Sequence, residues 1–337
     1  LKSCLKDFTF YDNADCHYFY TVPSMLHLIT GEKINFNNYF GSYKEDAWNT
    51  DNCINFYNIL HNDGYTCRLY DSYQAHMYYG DLINLKDKYD NFTYAEPRKD
   101  YKLMTVLLEK MTIYKYAPYI VKPKFEVMTY SFNDTIVYDH WNNSIAYWNY
   151  EVMRDLKEKG ITVNEDMEKS FTVMHIQGYH YPYNFDANGN KCEETTPLET
   201  QKGLNLWLSM YFDELKEAGL YDEATIIITA DRGQEFSIYE PQPIFFIKQK
   251  NQKQNEIIIN SAPISHDDFL PTILDVIDKE YTEYGTSIFD WNEGDKRVRE
   301  DCFSLGDKEM YVFSYSTDET ELVEHMKNME YYAVPTK

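Results

Sequence analysis

Thr21-Val22-Pro23-Ser24-Met25-Leu26-His27-Leu28-Ile29-Thr30-Gly31 reads as a helix with a hydroxyl at its mouth. Thr21 is a good N-cap type, Pro23 suits a first turn and Gly31 is a stop. Met25, Leu26, Leu28 and Ile29 recur at helical spacing and supply a face to bury. A hydroxyl at such a mouth sits where backbone N–H groups point outward and the helix dipole is positive. That setting suits phosphate or sulfate. A capped structural helix explains the stretch taken alone, so its meaning depends on the rest of the chain.

Working outward, Phe8-Thr9-Phe10-Tyr11 alternates like a strand and ends in a polar turn at residues 12–15. Residues 32–49 carry few regular signals and read as loop. Thr50-Asp51 opens a second helix that Gly64 ends, and Tyr65–Tyr70 follows as a strand. Helix, glycine, strand is an α/β signature. Residues 101–111 and 145–159 form helices, and a third runs from about Leu198 to Glu217 with Leu204, Leu208, Tyr211, Phe212 and Leu215 in phase. Phe171–Ile176 reads as a buried strand. Ala224–Ala230 is apolar on both faces, which suits the centre of a sheet covered by helices. Pro243–Lys248 and residues 256–260 are further strands, and a helix runs from about His266 to Ile277. The tail gives strands around Tyr311-Val312-Phe313 and a short acidic helix near 319–329. The expected architecture is a three-layer α/β sandwich with a central, mostly parallel mixed sheet over residues 1–292. A small α+β addition follows at 293–337.

Composition narrows the function. With 32 Lys and Arg against 55 Asp and Glu, the net charge of -23 repels nucleic acid and anionic lipid surfaces. An anionic substrate therefore needs local positive charge. The six cysteines, at 4, 16, 53, 67, 192 and 302, include no CxxC pair and read as free thiols. No apolar run reaches the roughly 18 residues of a membrane span. The chain begins with Leu1 rather than Met, which reads as a fragment or an excised domain with any anchor or export signal upstream.

Two polar clusters sit just past predicted strands, His175-Ile176-Gln177-Gly178-Tyr179-His180-Tyr181-Pro182-Tyr183 and Asp231-Arg232-Gly233-Gln234-Glu235. In open α/β sheets ligands bind beyond the carboxyl ends of strands. Taken singly, His175 is as readily a core histidine, and Asp231 a turn residue. The remaining histidines show no HExxH or similar metal spacing, and Asp267-Asp268 read as caps of the helix that follows.

The series Thr21-x-Pro23-Ser24, His175-x-x-Gly178-x-His180-x-Pro182-Tyr183, Thr229-Ala230-Asp231-x-Gly233, Asp268-Phe269-Leu270-Pro271-Thr272-Ile273-Leu274 and Gly285-Thr286-Ser287 resembles the sulfatase branch of the alkaline phosphatase superfamily. Within that branch it is most similar to lipoteichoic-acid synthases and phosphoethanolamine transferases, over about residues 5–290. The resemblance implies a threonine nucleophile bound to a divalent cation (Mn, Mg or Zn), which attacks a phosphodiester through a phospho-threonine intermediate. Thr21 matches that nucleophile and a metal ligand, Asp231 a further metal ligand, and His180 the histidine that contacts the transferred group. His175 and Arg232 are expected to bind substrate. The resemblance further implies a phospho-polyol or phosphoethanolamine group on a cell-envelope glycan or lipid as substrate. It places the domain on the extracellular face of a bacterial cytoplasmic membrane, attached only through segments ahead of Leu1.

Three departures bear on activity. Sulfatases proper carry Cys or Ser at the nucleophile position and an Arg two residues after the Pro. Thr21 and Met25 stand there, which argues against sulfate-ester hydrolysis. The family's Asp-His-Gly is Asp231-Arg232-Gly233 here, and a guanidinium offers a metal no lone pair. No residue among 1–20 clearly supplies the acidic ligand that the family carries on its first strand. The leading expectation is a phosphotransferase or phosphodiesterase. The alternatives are a non-catalytic relative that binds an anionic glycan and a sulfate-ester hydrolase. Cation binding is expected to be weak or absent in this chain. Thr21, His180 and Asp231 are expected to converge on one pocket.

Overall fold

The computed structural model describes residues 4–33, 43–71, 79–92, 98–128, 131, 135–137, 148–163, 168–233, 242–304, 309–317 and 329–333. Its strands are β1 (Thr9–Tyr11), β2 (Tyr65–Tyr70), β3 (Arg98–Lys99), β4 (Ile136–Val137), β5 (Lys169–Met174), β6 (Ile226–Thr229), β7 (Phe245–Lys248), β8 (Ile258–Asn260), β9 (Val298–Ser304), β10 (Glu309–Ser316) and β11 (Met329–Ala333). The helices are α1 (Thr21–Thr30), α2 (Tyr43–Trp48), α3 (Asp51–Asn62), α4 (Tyr101–Tyr116), α5 (Asn149–Lys159), α6 (Pro197–Glu217) and α7 (Phe269–Val276).

Helix boundaries follow local chemistry. Gly31 closes α1 at φ 74°, its N–H donating to His27 O at 2.8 Å. A side chain there would also meet Leu270 Cδ2 at 2.9 Å, so glycine answers both the left-handed backbone and the close approach of α7. The Thr50 hydroxyl caps α3 by accepting from Cys53 N–H. Thr196 caps α6, with Pro197 in its first turn. Helix α2 lies in a stretch that reads as loop in sequence; Glu45 and Asp46 in its first turn, and the buried Trp48, are the signals that hold it.

The side chains of β6 and β7 sort into two layers. Phe245, Ile247 and Ile227 face a core built with α1, α3 and α7, including Leu26, Ile29, Phe56, Leu60, Leu270 and Leu274. Phe246, Ile226 and Ile228 face the opposite way, onto Leu5, Phe8, Leu208, Phe212 and Tyr221. Alternate residues of one strand thus serve two helix layers, the α/β sandwich expected from the sequence. The strand pairings are mixed. One sheet has the order β6-β7-β1-β8, with β6–β7 and β7–β1 antiparallel and β1–β8 parallel. The parallel pair β2–β5 stands apart from it, and β3–β4 is a small separate ladder.

Two strands differ from the sequence reading in their surroundings. β6 was expected at the centre of a sheet, yet it is the edge of its sheet and all four residues are only half buried. β5 was expected to be buried, yet it is half to fully exposed along its length. Among the described residues, no strand lies between them.

The tail forms its own antiparallel sheet, ordered β11-β10-β9. It joins the main body through a bridge between Tyr18 and Cys302 and an ion pair from Arg299 to Asp15 at 3.6 Å. The acidic helix expected near 319–329 falls largely outside the described residues. All six cysteines are free thiols.

Candidate active site

Three elements meet at one end of the sheet. The first turn of α1 is tied to the end of β6 by the Ser24 hydroxyl, which donates to the Asp231 carbonyl. The end of β5 approaches from the other side, close enough for the negative charge of Asp231 to act on His175. Thr21, His175, His180, Asp231 and Arg232 all line one cleft of about 2870 Å³.

Thr21 is not the cap of its helix. Tyr20 holds that position in an extended conformation and gives no side-chain cap, so Thr21 is the first helical residue. Tyr20 takes φ -129° and ψ 141°, so the helix begins one residue earlier than a Thr21 cap would put it. Among the described residues no group engages the Thr21 hydroxyl. It stays at the positive end of the dipole and available to a ligand.

His175 is held from behind. Its Nδ1 donates to Asp71 Oδ2 at 3.0 Å, and Asp71, which follows β2 and is fully buried, also accepts from Tyr79 OH at 2.6 Å. Burial by itself would push the His175 pKa down. The hydrogen bond and charge of Asp71, with the charge of Asp231, outweigh burial and hold the imidazole above its ordinary value. Sequence reasoning missed Asp71, whose only signal was an acidic residue directly after a strand. It also missed Asn149, which fixes the loop beyond β5. Its side chain donates to Gly178 O at 2.6 Å and accepts from Gly178 N–H at 3.0 Å. Buried Gln177 completes the clamp by donating to His180 O at 3.2 Å. His180, partly exposed, sits on that loop with Nδ1 against the Tyr181 carbonyl.

Asp231 and Arg232 are neighbours in space as in sequence, with Arg232 Nε 3.7 Å from Asp231 Oδ2. That carboxylate oxygen is buried and accepts no hydrogen bond. The orphaned oxygen suits one bond to a cation, but the surroundings do not complete a site. The Thr21 hydroxyl and the Asp231 carboxylate are two donors, and a guanidinium stands beside them, repelling a cation more strongly as water is excluded. Among the described residues, the group of His, Cys, Asp and Glu ligands that does gather within 4.8 Å is His61, Cys67 and Asp90. It includes none of the cleft's five candidates. Among the described residues, the cleft's donor set therefore does not fit a tightly held divalent ion. It fits an anion, with the α1 N-terminus, His175 and Arg232 supplying positive potential.

His27 and the Asp267-Asp268 pair lie elsewhere. Asp268 stands at the N-cap of α7 but its side chain caps nothing there; it serves instead as the third-residue partner of Ser265 in the capping box of the short 3₁₀ turn at His266–Asp268. Asp267 instead accepts from His27 Nε2 at 2.9 Å and pairs with Lys33 at 3.3 Å, tying α1 to α7.

By sequence, no family model and no curated protein matches the chain. Solved structures do match in fold. The structure of Ps i-CgsB in complex with k-i-k-neocarrahexaose aligns with 98% of this chain and 79% of its own, at 13% identity and a TM-score of 0.56. PsFucS1 sulfatase from Pseudoalteromonas sp. covers 99% and 75% at 12% identity and TM-score 0.54. The lipoteichoic acid synthase LtaP from Listeria monocytogenes covers 98% and 77% at 10% identity and TM-score 0.53. The chain thus shares the α/β fold of these structures, an alkaline-phosphatase-like fold. Among the described residues no helix is long and apolar enough to cross a membrane.

Proposed function

We propose that the cleft binds a phosphate ester of a polyol or ethanolamine group, carried by a cell-envelope glycan or lipid, and that Thr21 attacks it to transfer or hydrolyse the group. The observation that carries this reading is the uncapped Thr21 hydroxyl at the mouth of α1, held by the Ser24–Asp231 tie within the cleft that His175 and Arg232 also line. The N–H groups of the first turn, the raised His175 and Arg232 hold the anionic oxygens. Asp71 keeps His175 oriented and favours its charged form. His180, on the clamped loop, reaches the transferred group. A threonine hydroxyl is a weak nucleophile unless activated, and a divalent cation is one established means. This donor set does not complete such a site, so no step is assigned to one. The placement on the outer face of a bacterial membrane belongs to the same proposal.

A second reading rests on Arg232. A guanidinium beside Asp231 favours holding an anionic glycan without turning it over. One experiment separates the two: incubation with a chromogenic phosphodiester, followed by mass spectrometry of the peptide that holds Thr21. Turnover with a phosphorylated Thr21 peptide, both lost in Thr21→Ala by on the order of 10³-fold or more, supports transfer. Retained binding of the ester with no turnover and no adduct sinks it and leaves the binding reading.

A further inference from the structure

A second set of ligand-type side chains gathers at the edge of β2 that faces away from β5. Gly64, at φ 83°, turns the chain from the end of α3 into β2. That turn lays His61, in the last turn of α3, against Cys67 in the strand. Asp90 reaches the same place from further along the chain and is fixed there twice by the backbone of Cys67. Its N–H donates to Cys67 O at 2.8 Å, and its Oδ2 accepts from Cys67 N–H at 2.7 Å. Tyr89 anchors the segment from within: its ring is buried and its hydroxyl lies 2.5 Å from that of Tyr57 on α3. One nitrogen, one sulfur and one oxygen, from a helix, a strand and a turn, thus have ligand atoms all within 4.8 Å of one another. Because 23 residues separate Cys67 from Asp90, no short motif marks the set.

The set has the geometry of ligands rather than of an ion pair. His61 Nε2 lies 3.3 Å from Asp90 Oδ2, yet it is buried and makes no hydrogen bond. An aligned imidazole N–H would donate across that distance, so the two groups are misaligned for a hydrogen bond. Two ligand atoms held at about 2.0–2.2 Å by one tetrahedral zinc ion sit about 3.4 Å apart. The separation of His61 and Asp90 is therefore that of two ligands sharing an ion. The donor types agree. Imidazole, thiolate and carboxylate together suit Zn²⁺, whereas Mg²⁺ and Ca²⁺ take oxygen ligands. Cys67 is fully buried and closes the inner side. The side chains of His61 and Asp90 are 29% and 46% exposed, which gives an ion its entry path and water the fourth position. Burial, with the charge of Asp90, pushes the Cys67 thiol up to about 12. A dication offsets both influences at once.

We propose that His61, Cys67 and Asp90 form a zinc site with water as the fourth ligand, separate from the residues around Thr21. His61 binds in the tautomer that leaves Nε2 bare, and Asp90 gives a carboxylate lone pair. The Cys67 thiol releases its proton to solvent as the S–Zn bond forms. The ion then joins α3, β2 and the turn at Asp90 at one point. Asp71, which orients His175, follows the same strand about 13 Å further on. The zinc site thus steadies the strand that carries Asp71 without touching the reacting groups. The inference stands on this geometry and is independent of the reaction assigned to Thr21.

The test is titration of the chelator-treated 1–337 chain with Zn²⁺ and, as a spectroscopic probe, Co²⁺. Co²⁺ develops a sulfur-to-metal charge-transfer band, because a thiolate is among its ligands, and Zn²⁺ abolishes the band by competition. His61→Gln and Asp90→Asn, both at partly exposed side chains, each weaken zinc binding by on the order of 100-fold. Cys67→Ser removes the band. Asp231→Asn leaves the band and the zinc affinity unchanged, which separates this site from the cleft. Zinc also raises the urea midpoint of the unmutated chain and not that of His61→Gln. Cys67 is buried, so if Cys67→Ser does not fold, His61→Gln decides the matter by the same titration. Failure to bind, binding without the band, or an affinity that His61→Gln and Asp90→Asn leave unchanged overturns the proposal.

Discussion

Asp71→Asn isolates what favours the charged form of His175. The Asp71 carboxylate is fully buried and accepts hydrogen bonds from His175 Nδ1 at 3.0 Å and Tyr79 OH at 2.6 Å. The amide keeps the shape and one acceptor oxygen but loses the charge. Breaking a buried charged pair costs about 3–5 kcal/mol. Because His175 keeps a 17% exposed side chain and Asn can still accept from Tyr79, a loss of about 3 kcal/mol is expected in slightly acidic solution. The sign of the pH dependence follows from the direction of the shift. The folded His175 pKa is raised, so the stabilisation is complete below the unfolded value of about 6.5 and is lost as pH rises through the folded value. The variant's deficit should therefore be largest near pH 6 and shrink toward that of one ordinary hydrogen bond, about 1 kcal/mol, by pH 9. Urea unfolding at both pH values measures the deficit, and NMR titration of the imidazole follows the group itself. In the variant, burial is the largest remaining influence and the His175 pKa should fall below 6.5. An equal deficit at pH 6 and pH 9, or a His175 pKa that stays raised, would refute the account of how the cleft keeps its positive charge.

The other expectations are separate in cause. Arg232→His should raise bound Mn, Mg or Zn measured by elemental analysis, and with it phosphodiester hydrolysis. A stoichiometric ion held by Asp231 in the unmutated protein would contradict the donor count at the cleft. Burial holds His266 and His17 down to about 3 each, so folding keeps them neutral while the unfolded chain takes up protons below about 6.5. Their stabilisation is present above that pH and is lost on acidification, by about 1.4 kcal/mol per pH unit for each; His266→Gln should remove one such share from the slope of urea stability against pH. Gly203 of α6 faces the Asp186 carbonyl, where a Cβ would lie at 2.3 Å. Gly203→Ala should destabilise by about 1–3 kcal/mol by thermal unfolding, despite the better helix propensity of alanine.

The parts of the fold legible in the sequence are those whose signals are local. Thr50 capping α3, Pro197 opening α6 and Gly31 closing α1 sit where their chemistry puts them. The site was legible to the extent that it lies at element ends: Thr21, His175, His180, Asp231 and Arg232 reach one cleft because strand ends and a helix mouth share one side of the sheet. Asp71 and Asn149 were not legible, because their importance comes from partners 104 and 29 residues away. The environments of β5 and β6 are a different case. Ile226-Ile227-Ile228 carries apolar side chains for two helix layers, and both layers are present. Among the described residues β6 has no second neighbour in the plane of the sheet, and side-chain patterning reports on faces, never on edges. The sequence of β6 therefore encodes a central strand correctly for its faces, while only the hydrogen-bond ladder reveals that Ile227 and Thr229 look onto a groove.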